Sequence, residues 1–103
     1  MKRTDPRRLL FIAKGMRWVE RHGTITDIKR LVTRGYFVNP TVNLQALRKK
    51  GGYLNHEVLI ICYTTKTVTI HDPGYPAHAN WTMGWKTFEN AFTGTIKAWK
   101  IKK

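Results

Sequence analysis

The stretch from His56 to Asp72, HEVLIICYTTKTVTIHD, decides the fold of this 103-residue chain. Its first eight residues, His56 to Tyr63, form a near-continuous apolar run of strand formers, the pattern of a strand covered on both sides. Thr64-Thr65-Lys66 predicts a turn, and Thr67 to His71 alternates as a second strand. If Tyr63 pairs with Thr67 around a three-residue turn, Val58 opposes Asp72. His56 then lies one diagonal step away on the same face, about 5–8 Å between backbones. A two-residue turn shifts the register by one and sets His56 and Asp72 on opposite faces. Asp72 shares its face with Val68 and Ile70, so its carboxylate needs a hydrogen-bond partner or a neutralising charge. An imidazole donating to that carboxylate is fixed in one tautomer, leaving its other nitrogen as a base. The same pair also reads as a purely structural hydrogen bond that holds the end of the hairpin.

Upstream, Asp5-Pro6 opens a helix with a cap and a proline at the first helical position. Leu9, Ile12, Ala13, Met16 and Val19 follow at helical spacing. Arg7, Arg8, Lys14, Arg17 and Arg21 make the outer face of that helix basic, and Gly23 is its stop. A second helix is expected from Thr26 or Asp27 to about Arg34, capped by Thr24 or Thr26 and burying Ile28, Leu31 and Val32. Tyr36-Phe37-Val38 starts a strand that Val42 continues past Pro40, which makes it an edge strand or breaks it there. Leu44 to Lys50 gives one or two helical turns before the Gly51-Gly52 breaker. Downstream, Pro73, Gly74 and Pro76 begin a loop to about Thr82. A helix near Trp85 to Phe92 follows, ended by Gly94, and Thr95 to Ile101 is a last strand. The expected class is α+β: two N-terminal helices, then an antiparallel sheet with one late helix. The chain reads as a single domain, with a basic helical part over 1–35 and a sheet part over 36–103.

Composition narrows the chemistry. A hydrophobic fraction of 42% with 12% aromatic residues argues against disorder. The single cysteine, Cys62, excludes an internal disulfide and a multi-cysteine zinc site, and its apolar surroundings mark it as a core residue. Met1-Lys2-Arg3 has the basic character of a signal-peptide head, but Leu9 to Ala13 is shorter than the roughly 7–15 apolar residues of a signal core. The expectation is a soluble, cytoplasmic protein without a membrane span. Net charge is +13, concentrated in the first half of the chain. Such an imbalance suits a nucleic-acid or acidic-partner surface, and Trp81, Trp85 and Trp99 could stack on bases, so a small basic nucleic-acid-binding protein is the alternative function. His56, His71, Asp72 and His78 invite a metal reading, but His71 and Asp72 are neighbours on a strand and face opposite ways. No metal or cofactor is expected.

Three segments carry a resemblance: GYLNHEVLIICY from Gly52, VTIHDPG from Val68 and WKTFENAFTG from Trp85. Together they resemble the second half of the papain-like cysteine peptidases that remove double-glycine leaders from bacteriocins, and their broader relatives. There a glycine-rich approach leads to a histidine opening a hydrophobic strand, then a hairpin, an Asp-Pro and a Phe-containing helix. DIKRLVTRGYFVNPTVN, from Asp27, is similar to the segment that leads to that histidine. The resemblance implies the barrel-like half of a papain-type fold, with His56 as general base and Asp72 as the residue that orients it. The family's oxyanion-hole glutamine and nucleophilic cysteine have no counterpart between Met1 and Gly23. Cys62, six residues beyond His56 on one strand, is roughly 20 Å away and cannot replace that nucleophile. A partial or degenerate peptidase domain is therefore expected. It would bind a peptide or protein ligand along a groove with Tyr75 and Trp81, or complete a site with a cysteine from a second chain.

Overall fold

The computed structural model describes residues 5–74 and 77–101. Asp5 caps α1 (Pro6–Ala13) by accepting from the Arg7 N–H at 2.9 Å. The helix does not run on to Gly23. It stops at Gly15, whose φ of +77° suits a residue without a Cβ and whose N–H donates to Ile12 O at 3.0 Å. Met16–His22 is instead a strand, β1, paired with β7 (Phe92–Ile101) from Met16 opposite Ile101 to His22 opposite Thr95. Trp18 and Val19 are strand formers, and pairing with a distant segment overrides their helical spacing. Within α1, Leu9 stays 66% exposed, while Phe11 packs edge-on against the stacked Trp18 and Trp99 rings.

The second helix forms as its sequence indicates. In α2 (Ile25–Thr33) the Thr24 N–H donates to Asp27 Oδ2 at 2.8 Å and the Asp27 N–H returns to Thr24 Oγ1, a reciprocal cap. Ile28 is fully buried, with Leu31 and Val32 packed beside it. Strand β2 (Phe37–Asn43) is not an edge: it lies between β7 and β3 (Asn55–Glu57) in a sheet ordered β1-β7-β2-β3. Pro40 does disturb it, since the register with β7 shifts between Pro40 and Val42. A short α3 (Leu44–Leu47) follows, capped by Asn43.

The apolar run after His56 is two strands in two sheets. It divides at Val58, with β3 on the first sheet and β4 (Leu59–Tyr63) opening a second sheet with β5 (Thr67–Asp72) and β6 (His78–Gly84), ordered β4-β5-β6. Val58 is pinned at the crossing: its N–H donates to Pro40 O, and its carbonyl accepts from Asn39 Nδ2 at 2.9 Å. Only one face of β4 is covered, because Ile61 and Cys62 are both exposed. Cys62 is thus a surface thiol and not the core residue that its apolar neighbours suggest. The loop expected to reach Thr82 ends at Ala77, since His78 to Gly84 is strand. After α4 (Trp85–Ala91) the chain passes straight into β7, which accommodates Gly94 at φ +93° instead of starting beyond it.

Among the described residues every strand pairing is antiparallel, so the α+β class holds, with two sheets where one was expected. Their inner faces and α2–α4 enclose Ile28, Val38, Val42, Val58, Val68, Ile70, Phe88 and Ile96. Among the described residues, no helix is long and apolar enough to cross a membrane.

Candidate active-site pair and adjoining cleft

The hairpin between β4 and β5 turns on two residues, not three. The Thr64 N–H donates to Thr67 O at 2.8 Å, leaving Thr65 and Lys66 as the turn, and Tyr63 pairs with Val68. Carried along a regular ladder, this register would turn His56 and Asp72 to opposite faces. A β-bulge prevents it. The pairing steps from Cys62–Thr69 to Ile60–Ile70, so β4 carries one extra residue, Ile61, and the remaining register places His71 opposite Leu59. His56 and Asp72 meet: the Nε2 of His56 is hydrogen-bonded to Oδ1 of Asp72.

Asp72 is 1% exposed and closes the inward-facing stripe begun by Val68 and Ile70. The Gly74 N–H donates to the same Oδ1 at 2.8 Å. Burial works against the charged form of Asp72, but the Gly74 N–H and the His56 ring outweigh it, with Arg48 adding a smaller electrostatic share. The carboxyl is thereby held below its ordinary range. An ionised Asp72 accepts, so the proton between the two side chains belongs to Nε2, and Nδ1 of His56 is the unprotonated nitrogen of the neutral ring. Gly74 is placed tightly: a Cβ there would stand 3.0 Å from Asp72 Oδ1 and 3.1 Å from His56 Cε1.

Beside the pair opens a cleft of about 440 Å³ lined by Arg48, Lys50, Asp72, Ala77, His78 and Trp81. A second irregularity builds its aromatic wall. The β5–β6 register moves from Ile70–Trp81 to Asp72–His78, leaving Ala79 and Asn80 opposite a single residue, with Asn80 at φ +53°. His78 and Trp81 are thereby brought to one face, where their rings stack at 4.4 Å.

The sequence-derived candidates fare differently. His56 and Asp72 come together, and Trp81 lines the adjoining cleft, although on a strand and not a loop. Tyr75 lies outside the described residues. The five basic residues do not share a helix face: Arg7 and Arg8 are on α1, Lys14 caps its end, and Arg17 and Arg21 are on β1. Arg7 is tied to Asp5 at 2.6 Å and to Glu57 at 2.9 Å, and Arg21 lies 3.7 Å from Asp27, whereas Arg8, Lys14 and Arg17 are exposed. Cys62 pairs with Thr69, three residues from Asp72 along β5, so it sits roughly 10 Å from the pair and on the exposed side. No cluster of three or more metal-ligating side chains occurs among the described residues. Not expected from the sequence are Arg48, Lys50 and the role of Gly74. The last had a signal, since Asp-Pro-Gly is a turn in which an Asp oxygen accepts from the N–H two residues on.

No family model, curated protein or solved structure matches this chain.

Proposed function

We propose that the chain is a partial or degenerate papain-like cysteine peptidase domain that binds peptide beside His56 or completes a site with a cysteine from another chain. The observation that supports this reading is the His56 Nε2 hydrogen bond to a nearly inaccessible Asp72, at the edge of an open cleft. A histidine held in this way presents Nδ1 to whatever enters beside it. If a partner's thiol takes that place, Nδ1 accepts the S–H proton and the thiolate attacks the peptide carbonyl. Asp72 then stabilises the imidazolium until its proton passes to the leaving amine. The chain's own thiol cannot serve, because Cys62 lies on the outer face of the hairpin.

Alone, the chain is expected to hydrolyse no peptide and still to bind one. The test is an NMR titration with an unstructured peptide ending in Gly-Gly, read at the His56 ring and the Trp81 indole. Shifts confined to those residues, Ala77 and His78 support the reading. Shifts confined to α1 and β1, or peptide cleavage accompanied by rapid, His56-dependent labelling of Cys62, refute it. The nucleic-acid alternative draws on the exposed Arg8, Lys14 and Arg17, and is separated by salt: phosphate-driven binding falls linearly in log affinity with log salt concentration.

A further inference from the structure

The cleft beside the pair carries an excess of positive charge, Arg48 and Lys50 against the single carboxylate of Asp72 among its described lining residues. Asp72 is its only carboxylate, and that group is buried and already bonded to His56 and to the Gly74 N–H. Elsewhere, Asp5 and Glu57 pair with Arg7 and Lys97, Asp27 lies between Arg21 and Arg30, and Glu20 accepts from the Trp18 indole. Arg48 and Lys50 form no ion pair among the described residues, and both are exposed at the cleft. The same cleft is lined by the His78–Trp81 stack, a flat aromatic surface with no carboxylate of its own.

Two cations of different kind are gathered here. An arginine fork grips both oxygens of a carboxylate, and a lysine adds a compact charge that follows the ligand. Anchoring one end of a ligand this way leaves the preceding residue to lie against the aromatic wall. We propose that the cleft is a carboxylate subsite for the peptide ligand, formed by Arg48 and Lys50, with the neighbouring residue of the peptide lying on Trp81 and His78. The inference rests on the peptide-binding reading given above and names the ligand class within it. The carboxylate comes from a free C-terminus or from an acidic side chain, and both sources present the same group to the two cations.

Four probes separate these sources: N-acetyl-Ala-Gly-Gly as the free acid, the same peptide as its amide, N-acetyl-Ala-Glu-Gly-amide, and hippurate. Each is titrated into the full chain and read at the Trp81 indole by NMR, in parallel with the chain carrying both Arg48→Gln and Lys50→Gln. Both positions are exposed, so the doubly substituted chain should fold normally. Loss of charged hydrogen bonds should weaken the free acid by roughly tenfold or more and leave the uncharged amide unchanged. Tighter binding of the free acid than of either amide assigns the subsite to a C-terminus, and tight binding of the glutamyl amide assigns it to an acidic side chain. Acid and amides binding equally at Trp81 overturn the carboxylate subsite and leave the peptide reading standing. Hippurate binding without any peptide sustains the subsite and removes the peptide reading. No probe shifting Trp81 overturns both.

Discussion

At the scale of single residues, three groups meet at the mouth of a hairpin. Asp72 holds two donors at once, the His56 ring and the Gly74 N–H. In Asp72→Ala both lose their acceptor in a nearly inaccessible place, and urea denaturation should show a loss of about 1–3 kcal/mol. Gly74→Ala tests the pair from outside. Its Cβ would press on Asp72 Oδ1 and His56 Cε1 at 3.0 and 3.1 Å, so the hydrogen-bonded carboxylate and ring must give by a few tenths of an ångström. The expected result is a displaced His56 ring signal with a stability loss of roughly 1–3 kcal/mol. An unchanged ring signal would mean that the pair is not packed as described. The chemical demands that His56 and Asp72 can meet for each other were legible in the sequence. The three-residue turn expected to bring them together has two residues, however, and their meeting goes with the bulge at Ile61. The cleft cations were not legible, because Arg48 and Lys50 read as part of a basic run before Gly51-Gly52, and only the folded chain gathers them into one cleft with Trp81.

Among the elements, local signals decided some outcomes and long-range pairing the others. The α2 cap was legible because Thr24 and Asp27 lie within one turn of each other, and Thr24→Ala should lower stability by about 1 kcal/mol in the same denaturation assay. The helix expected to reach Gly23 failed because Met16 to Val19 gain a partner, β7, some eighty residues away, which no local spacing reveals. In the His56–Tyr63 run the apolar pattern shows neither the crossing at Val58 nor the bulge at Ile61, and both arise from contacts with β2 and β5. The bulge allows a sharp prediction. Deleting Ile61 leaves Cys62 opposite Thr69 and Ile60 opposite Ile70, now in regular alternation. The shortened chain should therefore fold with its His56–Asp72 hydrogen bond intact, as seen in the His56 ring signals. Loss of that bond would show that the bulge plays a part other than correcting the register.

Across the whole molecule, charge is organised around a few ionised carboxylates in a strongly basic chain. Asp5 joins α1 to β7 through Lys97 at 2.8 Å, and Arg7 extends the contact to Glu57 on β3. The Arg7 guanidinium, opposed in part by burial and helped by Lys97, holds the Asp5 carboxyl far below the ordinary range. Asp72 is lowered as well. A carboxyl whose folded pKa is depressed stabilises the protein above its unfolded pKa, and that stability is lost as pH falls toward the folded value. The urea midpoint should accordingly decline from about pH 5 downward, through the unfolded carboxyl range near 4. Asp5→Asn should flatten that decline, and an equally steep decline in the variant would disprove the assignment. This network also shows why the chain does not divide into a helical part over 1–35 and a sheet part over 36–103. Strand β1 lies in the sheet, and Asp5 and Arg7 are bound to residues of its later strands.

What matters most is that Asp72 holds the His56 imidazole with its proton on Nε2, leaving Nδ1 unprotonated. Long-range proton–nitrogen correlation NMR at pH 8 reads this directly. The unaltered chain should show the Nε2–H tautomer of His56, and Asp72→Asn a mixture of tautomers. A proton on Nδ1 in the unaltered chain, or the same tautomer with and without the carboxylate, would contradict that assignment.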